Sequence, residues 1–277
     1  MTANDLVLYI LIFLGAGVAA GFTSGLFGIG GGVITVPIFI FLFPHLGSTS
    51  HVLMHMATGT SLALVLPASL SAAIRHHQLG ALDLRYFRSW AISLFFGICL
   101  GLALLAFLSS TILEGIFIVI LLTIAAYLFF GQERGQFKEG RPEGWIKLLG
   151  GFLVGTFSIL VGTGGGVFTG PFMKLHNYPL RRAIALSSAT GVVTATFGAI
   201  GAIVVGYGAS GRPPYSLGYI DLLVFFAMLP MLMVFAFIGA KISHRIRPSL
   251  LRRLFGLFVL LMAIVMIIHF FQMAGGS

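Results

Sequence analysis

The stretch GLFGIGGGVITVP, Gly25–Pro37, returns 134 residues later as ILVGTGGGVFTGP, Ile159–Pro171. Between Gly21 and Pro37, ten of seventeen positions are identical at that offset, among them Ser24, Gly28, Gly30, Gly31, Gly32, Thr35 and Pro37. A self-similarity of this kind marks a duplicated module. It extends beyond the glycines: Ala57-Thr58-Gly59 recurs as Ala189-Thr190-Gly191, LGALD (Leu79–Asp83) as LGYID (Leu217–Asp221), and Leu113 and Phe117 align with Leu251 and Phe255. The chain divides into a first repeat over 1–130, a polar linker over 131–144 and a second repeat over 145–277, together forming one integral membrane domain.

With 58% hydrophobic and only 8% charged residues, the composition excludes an ordinary soluble domain. Apolar runs recur along the whole chain, several of them long enough to cross a bilayer core of about 30 Å. They predict five helical segments per half. In the first half these are Leu6–Phe27, Val33–Phe43, Val52–Ile74, Tyr86–Leu108 and Ile112–Phe130. In the second they are Trp145–Val161, Val167–Leu175, Ala183–Val205, Ile220–Ala240 and Leu250–Phe271. The leader MTANDL carries Asp5 and no basic residue, unlike a signal-peptide n-region, so the first run is read as part of the mature protein. Cys99, the single cysteine, permits no internal disulfide.

The net charge of +9 does not point to nucleic acid, because the basic residues lie in short loops between apolar runs, fifteen of the sixteen in four connections. Only Arg212 stands apart. If each glycine cluster turns a hairpin back to its starting side, all the basic loops fall on one face. The positive-inside rule makes that face cytoplasmic and puts both termini outside. Equivalent loops also carry opposite bias: Pro44–His51 has no Lys or Arg, whereas its counterpart holds Lys174, Arg181 and Arg182. With an odd number of segments per half, the expected fold is an all-α polytopic membrane protein made of two inverted-topology repeats, a glycine-broken helical hairpin opening each.

Glycine costs about 1 kcal/mol per residue inside a helix, and freed backbone groups are tolerated at membrane depth only against protein or water. After each cluster a new helix begins at Val33 or Val167, its N-terminal N–H groups and partial positive charge aimed into the turn. Two such turns form a candidate anion site that needs no lysine. The predicted substrate-binding set is Gly28, Gly30, Gly31 and Gly32, then Gly162, Thr163, Gly164, Gly165 and Gly166, with the hydroxyls of Thr58, Thr60, Ser61, Ser188 and Thr190. His55 is a candidate gating or pH-sensing group. Neither cluster continues into Lys-Ser or Lys-Thr, so a phosphate-loop nucleotide site is excluded, as is a Rossmann fingerprint, which needs flanking strands. Asp83 and Asp221 read as helix N-caps. All seven acidic residues are placed at segment ends or in loops, leaving ion coupling through a buried carboxylate unsupported. No catalytic residue, metal or cofactor is expected.

The duplicated apolar module with GIGGGVITVP (Gly28–Pro37), ATGTSL (Ala57–Leu62) and LGALDL (Leu79–Leu84) resembles the sulfite exporter TauE/SafE family. The second copy departs from the pattern, with ATGVV placing Val192 and Val193 where the first has Thr60 and Ser61. The resemblance implies transport of a sulfur-containing anion, of sulfite or organosulfonate type, across a prokaryotic plasma membrane. Expected partners are that anion, the lipid bilayer and, as an option, a second copy of the chain. An anion channel on the same scaffold is the chief alternative. An intramembrane enzyme using Ser61 with His55 is a weaker one, because residues six apart on a helix face different sides.

Overall fold

The computed structural model describes residues 3–27, 31–130, 140–243 and 248–275. Gly28 and Gly30 lie outside the described residues, as do most of the linker and the basic residues Arg134, Lys138, Arg245 and Arg247. The first repeat comprises α1 (Ala3–Phe27), α2 (Gly32–Leu42), α3 (Leu53–Gln78), α4 (Leu84–Phe107) and α5 (Ser110–Phe130). The second comprises α6 (Gly144–Val161), α7 (Gly166–Leu175), α8 (Leu180–Val205), α9 (Leu222–Ser243) and α10 (Pro248–Gly275). All ten expected segments are present. Among the described residues, seven helices are long and apolar enough to cross a bilayer: α3, α4, α5, α6, α8, α9 and α10. The outward surface is rich in large apolar side chains such as Phe107, Phe130 and Phe237, as expected of a wall facing lipid. Two elements were not anticipated: a short 3-10 helix at Phe43–Leu46, and a two-stranded antiparallel ribbon in the second LGxxD segment, pairing Ser216–Leu217 (β1) with Ile220–Asp221 (β2).

Helix boundaries follow local chemistry. Asp83 caps α4 by accepting the Tyr86 N–H at 3.0 Å, and Asp221 caps α9 by accepting the Val224 N–H at 3.0 Å. Both are the N-caps read from the sequence. The half-length helices α2 and α7, of 11 and 10 residues, reach only about 15 Å each, half the bilayer core.

The repeats are interlocked rather than side by side. Helix α1 runs parallel to α9, with Gly17, Gly21 and Gly25 against the backbones of Met228, Leu232 and Ala236. Its counterpart α6 runs parallel to α4, with Gly151 and Gly155 against Ser93 and Leu94, while Gly97 and Gly101 meet Phe152 and Thr156. The first helix of each repeat therefore packs on the fourth of the other. Glycine at every fourth position lets two backbones touch, the packing device of membrane helices. Thr156 Oγ1 adds a bond across this seam to the Gly97 carbonyl at 3.1 Å.

At the centre, equivalent helices meet each other. Gly59, Leu62 and Ser69 of α3 face Ala202, Gly198 and Gly191 of α8, so the two run antiparallel. Helices α5 and α10 are also antiparallel, since Glu114 near the start of α5 meets His269 near the end of α10. At the other end of that pair, Arg252 donates to the Leu128 and Tyr127 carbonyls at 2.8 and 3.1 Å.

The loops sort onto two ends. At one, Arg141 pairs with Asp83 at 3.2 Å, Lys147 donates to Ser89 at 2.9 Å, and Tyr86 stacks on Tyr178. At the other, the Thr49 N–H donates to the Gly211 carbonyl at 2.9 Å, and His55 bonds Ser110 at 3.3 Å. Arg212 sits at this second end, its guanidinium donating to the Ala209 and Gly218 carbonyls.

Two outcomes follow from this packing. A Cβ at Gly25 or Gly155 would run into a neighbouring backbone carbonyl, whereas one at Gly15 or Gly115 would meet nothing within 4 Å. Gly25→Ala and Gly155→Ala should each destabilise by about 1–3 kcal/mol, read as a lowered melting temperature in detergent, while Gly15→Ala and Gly115→Ala leave it unchanged or raised. The Tyr86 N–H, and after it the Arg141 guanidinium, hold the Asp83 carboxyl below the usual carboxylate range. Its cap is therefore fully present above the ordinary value of about 4 and is lost as pH falls through the lower folded value. Thermal melts at decreasing pH should show Asp83→Asn, which keeps the cap, overtaking the native protein only in acid.

Candidate functional site

Each half-length helix starts on a glycine that no other residue replaces easily. Gly31 has φ 86° and ψ −21° and precedes α2; Gly165 has φ 81° and ψ −20° and precedes α7. This left-handed conformation is open to glycine and costly to other residues. In both, the carbonyl of the capping glycine accepts the first helical N–H groups: Thr35 donates to Gly31 at 3.0 Å and Thr169 to Gly165 at 3.0 Å. Ile34 and Phe168 donate to the same two carbonyls, at 2.9 and 3.3 Å, so the amides without a carbonyl in their own helix are those of Gly32 and Val33 and of Gly166 and Val167. Gly162 and Gly164, with φ of 71° and 70°, complete the second turn.

The turns are pressed into the α3–α8 centre. A Cβ at Gly32 would collide with the Gly162 carbonyl and Thr163 Cα, and one at Gly162 would lie 3.1 Å from Thr58 Cα and its carbonyl oxygen. The start of α2, the end of α6 and the first third of α3 thus converge on one point. Gly164 abuts Val65, and Gly165 abuts Thr190 and Thr194.

Bonding partners divide the predicted hydroxyls into distinct roles. Ser61 donates to the Gly162 carbonyl at 2.7 Å and bonds Thr35 at 2.7 Å, tying the two hairpins together. Thr60 accepts the Asp221 N–H at 3.0 Å and so fixes the β2 end. Thr190 accepts the Trp90 indole N–H at 3.0 Å. Ser188 turns back onto the Ile184 carbonyl of its own helix, at 3.0 Å, as hydroxyls in apolar helices commonly do. Thr58 and Thr163 differ from all of these. Both are wholly buried, and their hydroxyls have no partner among the described residues. An unsatisfied buried hydroxyl costs about 1–3 kcal/mol. The buried hydroxyls of Ser48 and Ser187 are likewise unpartnered, with Ser187 lying against Gly170 of α7 rather than at the glycine turns.

His55 Nε2 donates to the Leu105 carbonyl at 2.9 Å, its Nδ1 bonds the Ser110 hydroxyl at 3.3 Å, and the ring rests on that of Tyr219. Its partners lie on elements other than those that hold Ser61, so the two do not form a dyad. The expectation that the acids avoid the apolar interior is corrected. Glu114, 7% exposed, bonds His269 Nδ1 at 2.8 Å between α5 and α10, beneath the edge of Phe41. A position near a segment end did not reveal the burial, because the partner imidazole arrives from the last helix of the chain.

The sequence that forms these two glycine-capped half-helices is similar to that of known proteins. The family model described as sulfite exporter TauE/SafE covers residues 13–266. The chain belongs to the sulfite exporter TauE/SafE family. It is 31% identical over 258 residues to a probable membrane transporter protein of Haemophilus influenzae, covering 93% of this chain and 98% of that one. A probable membrane transporter protein of Methanocaldococcus jannaschii is 28% identical over 250 residues, covering 90% and 91%. One of Bacillus subtilis is 25% identical over 254 residues, covering 86% and 90%. No solved structure matches the chain. As a member of this family, the protein is a multi-pass membrane transporter.

Removing the Glu114 carboxylate leaves the partly buried His269 imidazole without that partner. Glu114→Ala should therefore lower stability by about 1–3 kcal/mol, and Glu114→Gln, which keeps an acceptor oxygen, by less. Melting temperatures of the two variants in detergent check the order.

Proposed function

We propose that this TauE/SafE protein carries a small sulfur-containing oxyanion by alternating access, holding it where the Gly31 and Gly165 turns meet α3. The observation that carries this reading is the pair of wholly buried, unpartnered hydroxyls, Thr58 and Thr163, beside backbones that Gly32 and Gly162 bring into contact. Hydroxyls and helix N-termini are neutral or partly positive donors, suited to an oxyanion that must be released again. Burial of both hydroxyls favours a carrier with an occluded state over an open channel. The choice of a sulfur oxyanion rests on the name of the family.

The antiparallel pairing of α3 with α8 and of α5 with α10 supports the inverted-repeat reading, in which exchanging the halves exchanges the two faces of the membrane. Grouping of Arg141 and Lys147 with the loop after α3 supports a single basic face. By the positive-inside rule that face is cytoplasmic, with both termini outside, in a prokaryotic plasma membrane.

Thr58→Val and Thr163→Val, each nearly isosteric, are the discriminating variants. In proteoliposomes loaded for counterflow with labelled sulfite, each should lower uptake about tenfold or more, as expected for a lost oxyanion contact of at least about 1.4 kcal/mol. Melting temperature should stay level or rise, because an unsatisfied buried hydroxyl has been removed. Full uptake by both folded variants would overturn the site, and flux without saturation or counterflow would favour the channel. Competition by sulfate, thiosulfate, sulfoacetate and taurine ranks the anions.

A further inference from the structure

Between the starts of α4 and α6, at the basic end, lies an open cavity of about 260 Å3 lined by Arg85, Tyr86, Ser89, Arg141, Glu143 and Lys147. The Tyr86 ring forms its floor, with the Arg141 guanidinium 5.5 Å and the Lys147 ammonium 5.3 Å from the ring centroid. Arg141 is braced by Asp83 at 3.2 Å and Glu143 at 2.9 Å. Among the described residues, Arg85 and Lys147 have no carboxylate partner. The helices α4 and α6 are parallel and begin at Leu84 and Gly144, so both positive dipole ends point toward the same cavity.

A second hollow lies next along the same pair of helices. It is a groove of about 500 Å3 lined by Ile92, Phe96, Trp145, Leu148, Leu149 and Phe152. Its walls face outward: Ile92 and Phe96 are among the exposed large apolar side chains, and Trp145 is 71% exposed. An exposed indole beside a basic cluster is the composition of a membrane–water boundary. One seam therefore presents cations at the boundary and an apolar channel below it. The duplication did not supply this charge. The equivalents of Arg85, Ser89 and Lys147 in the other repeat are Leu223, Ala227 and Phe13, so the feature serves one leaflet only.

We infer that this seam binds an anionic phospholipid of the leaflet at the basic end, its phosphate between Arg85 and Lys147 and an acyl chain along the groove from Ile92 to Phe152. A soluble phosphate ester would use the basic half and leave the groove idle, whereas a zwitterionic lipid would fill the groove and gain little from the cations. Basic pockets between transmembrane helices are suited to anionic headgroups. The inference requires only that the chain spans a membrane and is independent of the transported anion.

Native mass spectrometry of the full chain, released from detergent supplemented with phosphatidylglycerol, phosphatidylethanolamine or glycerol 3-phosphate, tests it. The native protein should retain one phosphatidylglycerol in preference to phosphatidylethanolamine. Arg85→Gln with Lys147→Gln should weaken that retention about thirtyfold, the loss expected for two basic contacts at the headgroup. Leu149→Trp, which fills the groove, should weaken it through the acyl chain, while Lys174→Gln, outside the seam, leaves it unchanged. Each single variant, Arg85→Gln or Lys147→Gln, reads the same effect in part if the double variant does not fold. Equal retention of the two lipids, or undiminished phosphatidylglycerol binding by the basic variants, overturns the inference. Glycerol 3-phosphate binding as tightly as the lipid, insensitive to Leu149→Trp, overturns it too and assigns the cavity to a soluble anion.

Discussion

The close approach of backbones at glycine is the constraint on which the rest of the structure depends. Gly21 on Leu232 and Gly155 on Leu94 bring the first helix of each repeat onto the fourth of the other with no side chain between them. Within lipid there is little hydrophobic gain in helix association, so contact must come from packing, and packing is densest where Cβ atoms are absent. Once these two seams are set, α3 and α8 are confined between them, and the half-length helices can only point their glycine turns at that centre.

The same residue type performs two different tasks along one stretch. Gly21 and Gly25 are helical and permit contact, whereas Gly31 is left-handed and ends one helix to begin another. The spacing separates the tasks: every fourth position is a packing stripe, and a run of adjacent glycines is a break. Pro37 and Pro171, six residues beyond Gly31 and Gly165, lie inside α2 and α7. Each lacks the N–H of a continuous helix, so these short helices carry another freed carbonyl near the site.

Much of this was legible in the chain. Ten apolar segments, two glycine breaks and the Asp83 and Asp221 caps follow from period, composition and local chemistry, which act over a few residues. What was not legible depends on partners far apart in sequence. Nothing near Thr190 announces that the Trp90 indole will bond it, so that of this equivalent pair Thr58 is the unpartnered member. The repeat itself held a hint, since the α9 residue equivalent to Trp90 is Met228, which has no N–H to offer. Thr163 was placed in the candidate site by its position in the glycine run, but its lack of a partner is visible only in the fold. Glu114 was misjudged because proximity to a helix start is a local property and burial is not. The ribbon at Ser216–Asp221 escaped notice because its first copy, LGALD, forms no strand.

The interlocked seams also dictate an order of assembly. Helix α4 meets α6 soon after both have been synthesised, but the glycine face of α1 has no partner until α9 emerges, about two hundred residues later. Until then the first-made helix must wait in the bilayer with its backbone groove covered only by lipid tails. Contacts so distant along the chain close late, so neither half matures alone. The nascent protein passes through a stage in which the second seam is complete and the first is still open to whatever the membrane supplies.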